Sequence, residues 1–164
     1  MKLLSDAAEY ALRAVVWLAQ QQGGTFKLRE IAEGTHAAPG YMIKALQSLA
    51  KAGVLSAQRG NNGGFTLVRD AKELSVLDVI NAVDPIQRIR TCPLGLASHG
   101  TCLCPMHQRI DDAVAAIERG FDDSVIADLL SEKTSSRPLC DALVVDVPGA
   151  GHGPNRIEDS HAGS

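Results

Sequence analysis

Three cysteines, Cys92, Cys102 and Cys104, fall within thirteen residues, with His99 between them and His107 just beyond. Thiolates bind soft centres such as Zn²⁺ and iron–sulfur clusters, and an imidazole can complete the coordination. These five side chains are candidates for about four ligand positions. The spacing is not a standard zinc spacing, which ranks zinc low. The plainer alternative is a set of small thiols packed where a loop meets the following helix. Cys140 stands apart and reads as a bystander thiol. A second group of residues has a different chemistry. Tyr41, Lys44, Gln47 and Ser48 share one face of a helical stretch. Amide and hydroxyl groups there can read base edges, and an ammonium can contact guanine or phosphate. Arg59 lies in a turn with Asn61 and Asn62, where a basic side chain can enter a narrow minor groove.

The elements that must position these residues can be read from periodicity and breakers. Ser5 or Asp6 can cap a first helix to about Gln21, buried along Ala7, Tyr10, Ala11, Ala14, Val15 and Leu18. Trp17 falls outside that stripe and needs a second partner. A short helix over Leu28 to Gly34 buries Ile31 and Ala32. A turn through Pro39 leads into a third helix ending near Ala52, with Ile43, Leu46, Leu49 and Ala50 inward and Tyr41, Lys44, Gln47 and Lys51 outward. Val54-Leu55 and Phe65-Thr66-Leu67 flank a turn rich in Gly and Asn, which predicts a β-hairpin. Gly60, Gly63 and Gly64 serve that turn. A helix-turn-helix followed by such a hairpin is the layout of a winged-helix domain, with one helix in the major groove and the hairpin on the backbone or minor groove. A further helix spans about Val76 to Val83. The cysteine loop follows, and one long helix is predicted from Pro105 to about Leu130. Its apolar positions Ile110, Ala113, Val114, Ile117, Phe121, Val125 and Leu129 need a covering surface, most simply the same helix of a second subunit.

The fold class is thus mainly α with a small β-hairpin wing. Residues 1–84 form the winged helix-turn-helix, 85–104 a cysteine-containing sensor loop, 105–130 a dimerisation helix, and 131–164 a disordered tail rich in Ser, Pro, Gly and His. Leu143-Val144-Val145 could make a short contact within that tail. Net charge is −3 over 164 residues, but residues 1–70 hold eight Lys/Arg against five acids. The remainder holds eight against fourteen, so only the first half offers phosphates an attractive field. No apolar run approaches a membrane span and the N-terminus lacks a signal-peptide pattern, so a cytoplasmic location and no membrane partner are expected. Neither a phosphate-binding Gly-x-x-x-x-Gly-Lys loop nor a His-Glu-x-x-His motif occurs. The pairs Asp111-Asp112 and Asp122-Asp123 read as solvated charge on exposed helix positions. An enzyme is not expected.

The series Met1-Lys2-Leu3, Tyr41-Met42-Ile43-Lys44-Ala45-Leu46, Ala52-Gly53-Val54-Leu55, Arg59-Gly60-Asn61-Asn62-Gly63-Gly64-Phe65 and Ser75-Val76-Leu77-Asp78-Val79-Ile80, followed by the cysteine segment, resembles the Rrf2 family of bacterial winged-helix regulators across roughly residues 1–130. The family includes an iron–sulfur cluster regulator and a nitric-oxide-sensing repressor. The resemblance implies a homodimer joined by a long crossing helix and bound to a palindromic operator in double-stranded DNA. It also implies a 2Fe–2S or 4Fe–4S cluster in cluster-binding members. Cys92, Cys104 and His107 fall where it would put ligands, and Glu9 falls near the place of a carboxylate from the other subunit. The family's middle cysteine falls where this chain has Ala97, Ser98 and His99, and Cys102 sits only two residues before Cys104. Either Cys102 or His99 substitutes, or no cluster forms. The leading expectation is a repressor sensing redox, iron or nitric oxide through a cluster. The alternatives are a same-fold regulator controlled by thiol oxidation or a small ligand, and a cytoplasmic metal- or cluster-binding interaction protein.

Overall fold

The computed structural model describes residues 3–60, 63–95, 102–132 and 138–139. Met1, Lys2, Asn61, Asn62, the Ala97-Ser98-His99 segment, Cys140 and the rest of the predicted tail with Leu143-Val144-Val145 lie outside the described residues. Helix α1 (Asp6–Gln20) starts where Ser5 Oγ accepts the Ala8 N–H at 3.2 Å. Asp6 and Glu9 in its first turn suit the positive end of the helix dipole. The helix buries Ala8, Ala11, Ala14, Val15, Val16 and Leu18, whereas Ala7 is exposed and Tyr10 half-buried. The buried stripe is rotated by one position from the expected one at its start, because Ala7 and Ala8 are the same residue type and apolarity cannot rank them. Trp17 finds its second partner within the chain. Its indole meets Phe26 edge-on at 5.0 Å, and it lies so close over Gly34 that a Cβ there would strike the ring.

Helix α2 (Leu28–Gly34) begins where the Glu30 carboxylate reaches back to accept the Lys27 N–H at 2.7 Å. Its last turn is closed by buried Thr35, whose hydroxyl donates to the Ile31 carbonyl at 2.7 Å. Helix α3 (Pro39–Lys51) packs on α1 and buries Met42, Ala45, Leu46 and Leu49. The expected inner residues Ile43 and Ala50 are only half-buried. They lie about 100° around the helix from Met42 and Leu49, on the shoulder of the face that meets α1.

Strands β1 (Leu55–Gln58) and β2 (Gly64–Leu67) pair antiparallel, with Leu55 opposite Leu67 and Gln58 opposite Gly64. The first strand begins at Leu55, one residue after the predicted start, and continues through Ser56, Ala57 and Gln58 toward the turn. A bridge between Phe26 and Phe65 ties the hairpin to the chain before α2. Gly64 permits that approach, since a Cβ would collide with the Phe26 carbonyl.

Helix α4 (Val76–Asn81) is capped by Ser75, which accepts the Asp78 N–H at 3.0 Å. The single long helix expected from Pro105 to Leu130 is two helices, α5 (Pro105–Asp122) and α6 (Ile126–Ser131). Gly120 does not break it. The interruption comes at Ser124 and Val125, where the Ser124 carbonyl accepts the Val76 N–H at 2.8 Å, the Ile126 N–H donates to Leu74 at 2.9 Å, and Val125 bridges Ser75. Tertiary hydrogen bonds to the start of α4 replace helical ones, and fully buried Ile126 joins the core beneath α1. The core is one cluster built from α1, α2, α3, β1, α4 and α6. Asp111 corrects another expectation: it is buried, not solvated, and both its oxygens are engaged by Arg88.

Candidate nucleic-acid interface and cysteine segment

On α3 the side opposite the core exposes Tyr41, Lys44, Gln47 and Lys51, as the helical period requires, while Ser48 is half-buried at its margin. Tyr41 is not a free-standing side chain. Its ring stacks on Tyr10 of α1 at 6.0 Å. The Arg13 guanidinium lies 5.8 Å from the Tyr10 centroid and pairs with Glu9 at 2.7 Å. The chain Glu9–Arg13–Tyr10–Tyr41 thus connects the exposed side of α1 to the start of α3. Arg59 is exposed where β1 enters the turn.

Ion pairing sorts the bases of the first half. Arg13 pairs with Glu9, Arg29 with Glu33 at 2.7 Å, and Arg69 with Asp78 at 2.8 Å. The hydrogen bond from Glu33, reinforced by its charge, raises the pKa of Arg29. Lys27, Lys44, Lys51 and Arg59 form no ion pair with a described residue. The last three place their free charge on the outer face of α3 and on the hairpin, where phosphates can meet it.

In the second half of the chain, Cys104 is the N-cap residue of α5 and His107 lies in the helix's first turn. This i, i+3 spacing brings Cys104 Sγ to 3.4 Å from His107 Nδ1. Cys92 is half-buried on the limb leading from α4, and Cys102 is exposed. No disulfide joins the described cysteines. The Cys104–His107 pair has the donor chemistry of a soft metal centre, but no three Cys, His, Asp or Glu side chains converge among the described residues. The Glu9 carboxylate is held by Arg13 of its own chain.

Sequence reasoning missed the ion-pair network beside this segment. Arg88 donates to both oxygens of Asp111, at 2.7 and 2.6 Å, and to Glu118 at 2.9 Å, while the Ile89 N–H adds a bond to Asp111 at 2.9 Å. The hydrogen bonds from Arg88 hold the Asp111 carboxyl at about 2 and raise the pKa of Arg88. The available signal was the seven-residue spacing of Asp111 and Glu118, which puts both on one helix face.

The family model for Rrf2, described as an iron-dependent transcriptional regulator, matches residues 4–132. The chain belongs to the Rrf2 family. Among solved structures, T. potens IscR superposes with a TM-score of 0.62 at 25% identity, covering 79% of this chain and 86% of that one. B. subtilis CymR (YrzC), described as the global cysteine regulator, gives 0.62 at 20% identity over 79% and 96%. The oxidized form of S. aureus CymR gives 0.62 at 24% over 82% and 99%. The last two establish the fold alone. This Rrf2 chain is a DNA-binding transcriptional regulator, not an enzyme, with the expected helical fold and two-stranded wing. No helix among the described residues is long and apolar enough to cross a membrane.

Proposed function

We propose that this Rrf2 regulator acts as a homodimeric repressor on a palindromic operator and that its cysteine segment senses redox, iron or nitric oxide. In this reading residues 1–84 bind DNA, with Tyr41, Lys44, Gln47, Ser48, Arg59, Asn61 and Asn62 at the duplex. The pairing is attributed to α5. Its positions Met106, Ile110 and Ala113 are exposed and Val114 and Ile117 only half-buried, so an apolar stripe faces outward, while Phe121 at its end packs in part against the core. Ile117 and Phe121 also line an apolar groove of about 510 Å³ with Leu3, Leu12, Val76 and Leu129. A second copy of α5 is the simplest cover for such a stripe.

The observation that carries the sensing reading is the 3.4 Å approach of Cys104 and His107 at the head of the same helix. Cys92, Cys102, Cys104 and His107 would hold an iron–sulfur cluster, with Glu9 of the second copy as a further ligand. Bound there, the cluster would supply an oxidisable, nitrosylation-sensitive centre. The residues around it would convert its presence into the spacing of two recognition helices, to which operator affinity is sensitive. The test is an absorption spectrum with iron and sulfide analysis of protein purified without oxygen. Absorbance between about 320 and 460 nm with stoichiometric iron and sulfide supports the cluster. A protein that stays colourless after reconstitution refutes it and leaves a thiol switch. That second reading is favoured by exposed Cys102 lying two residues from Cys104.

A further inference from the structure

The Arg88 network occupies a specific place relative to the cysteines. Asp111 lies seven residues beyond Cys104 and four beyond His107 on α5. The three therefore share one side of the helix over about 10 Å of rise. Arg88 lies four residues before Cys92. A stretch of that length spans at most about 14 Å. The guanidinium is forked onto Asp111 and reaches Glu118 with its remaining nitrogen, and the next amide, Ile89, also bonds Asp111. Side-chain exposure is 21% for Arg88 and 8% for Asp111, so the pair is shielded from competing water.

We infer that Arg88 is a positioning residue for the cysteine segment: its three-point clamp on Asp111 and Glu118 holds the limb carrying Cys92 within reach of the Cys104–His107 end of α5. Four residues of chain beyond the clamp keep the Cys92 thiol in a small volume around the head of the helix. This raises its effective concentration toward Cys104. The choice of Arg follows from the geometry, since a lysine ammonium cannot fork onto one carboxylate while bonding a second. The significance of this placement rests on the sensing role proposed above, but the distance it predicts does not.

The test uses the full chain as apoprotein with C102S and C140S, which leaves Cys92 and Cys104 as its cysteines, and a short bifunctional maleimide. Mixing isotopically labelled and unlabelled protein distinguishes links within one chain from links between two. The expected result is rapid Cys92–Cys104 linkage within one chain, slowed about tenfold by R88Q and by D111N, with R88K between them. Far-ultraviolet circular dichroism and gel filtration should report unchanged folding and assembly. Linkage as fast in R88Q and D111N as in the parent overturns the proposal. If either variant loses its fold, R88K and E118Q decide: slowed linkage supports the clamp, and parent-like linkage in both overturns it. Cross-linking reads thiol separation whether or not a cluster binds. A colourless protein with clamp-dependent linkage would therefore remove the cluster and keep the clamp.

Discussion

Arg59 and Asp111 illustrate two uses of charge at the scale of single residues. Arg59 is exposed and without an ion-pair partner among the described residues. Its guanidinium can therefore exchange water for a phosphate or a minor-groove edge at little desolvation cost. Arg59→Ala is expected to weaken operator binding by about 1–3 kcal/mol while leaving the melting temperature unchanged, as fluorescence anisotropy and calorimetry would show. Asp111 is the opposite case, a buried carboxylate whose pKa Arg88 lowers from 3.8 to about 2. A group depressed on folding stabilises the native state above its unfolded pKa, and that contribution is lost as pH falls through the folded value. Asp111→Asn should therefore melt below the parent near neutral pH, and the gap should close as pH falls from about 4 to about 2. A gap constant across that window would show that the ionised form carries no special stability.

At the scale of elements, local signals explain what was legible. Ser5, Pro39, Gly53 and Ser75 mark helix ends by backbone chemistry that needs no tertiary context. The helices they mark begin or end within a residue or two of expectation. The α5–α6 break was not legible. Ser124 and Val125 are helix-compatible, and only the strand-like bonds to Leu74 and Val76, some fifty residues away in sequence, draw them out of the helix. The Arg88–Asp111 pair was hidden for the same reason, because adjacent Asp111 and Asp112 look alike until a partner selects one. At the candidate site the exposed face of α3 followed from the helical period. The Tyr10–Tyr41 stack depended on how α1 crosses α3. Gly34 gives a test of element packing, because a Cβ there meets the Trp17 indole. Gly34→Ala should destabilise the domain by about 1–3 kcal/mol. Chemical denaturation of the variant against the parent, monitored by Trp17 fluorescence, measures this. Near-identical midpoints would mean that α1 and α2 can separate freely.

For the whole molecule, the function proposed above would divide three tasks among three regions: duplex contact by α3 and the hairpin, pairing by the outward stripe of α5, and sensing by the limb and helix head that bear the cysteines. If α5 pairs two copies, Ile117→Glu places a charge in a desolvated seam and should yield monomers by sedimentation equilibrium, with loss of operator binding. A dimer that persists in that variant would move the interface elsewhere. Duplex recognition by both copies is the central claim, and it is tested most directly by the salt dependence of affinity for a duplex selected from a random pool. Two copies each presenting Lys44, Lys51 and Arg59 predict a slope of log K against log salt near about −5, reduced in magnitude by about 2 in Lys44→Ala. A salt-independent affinity, or one unchanged by Lys44→Ala and Arg59→Ala together, would contradict the account.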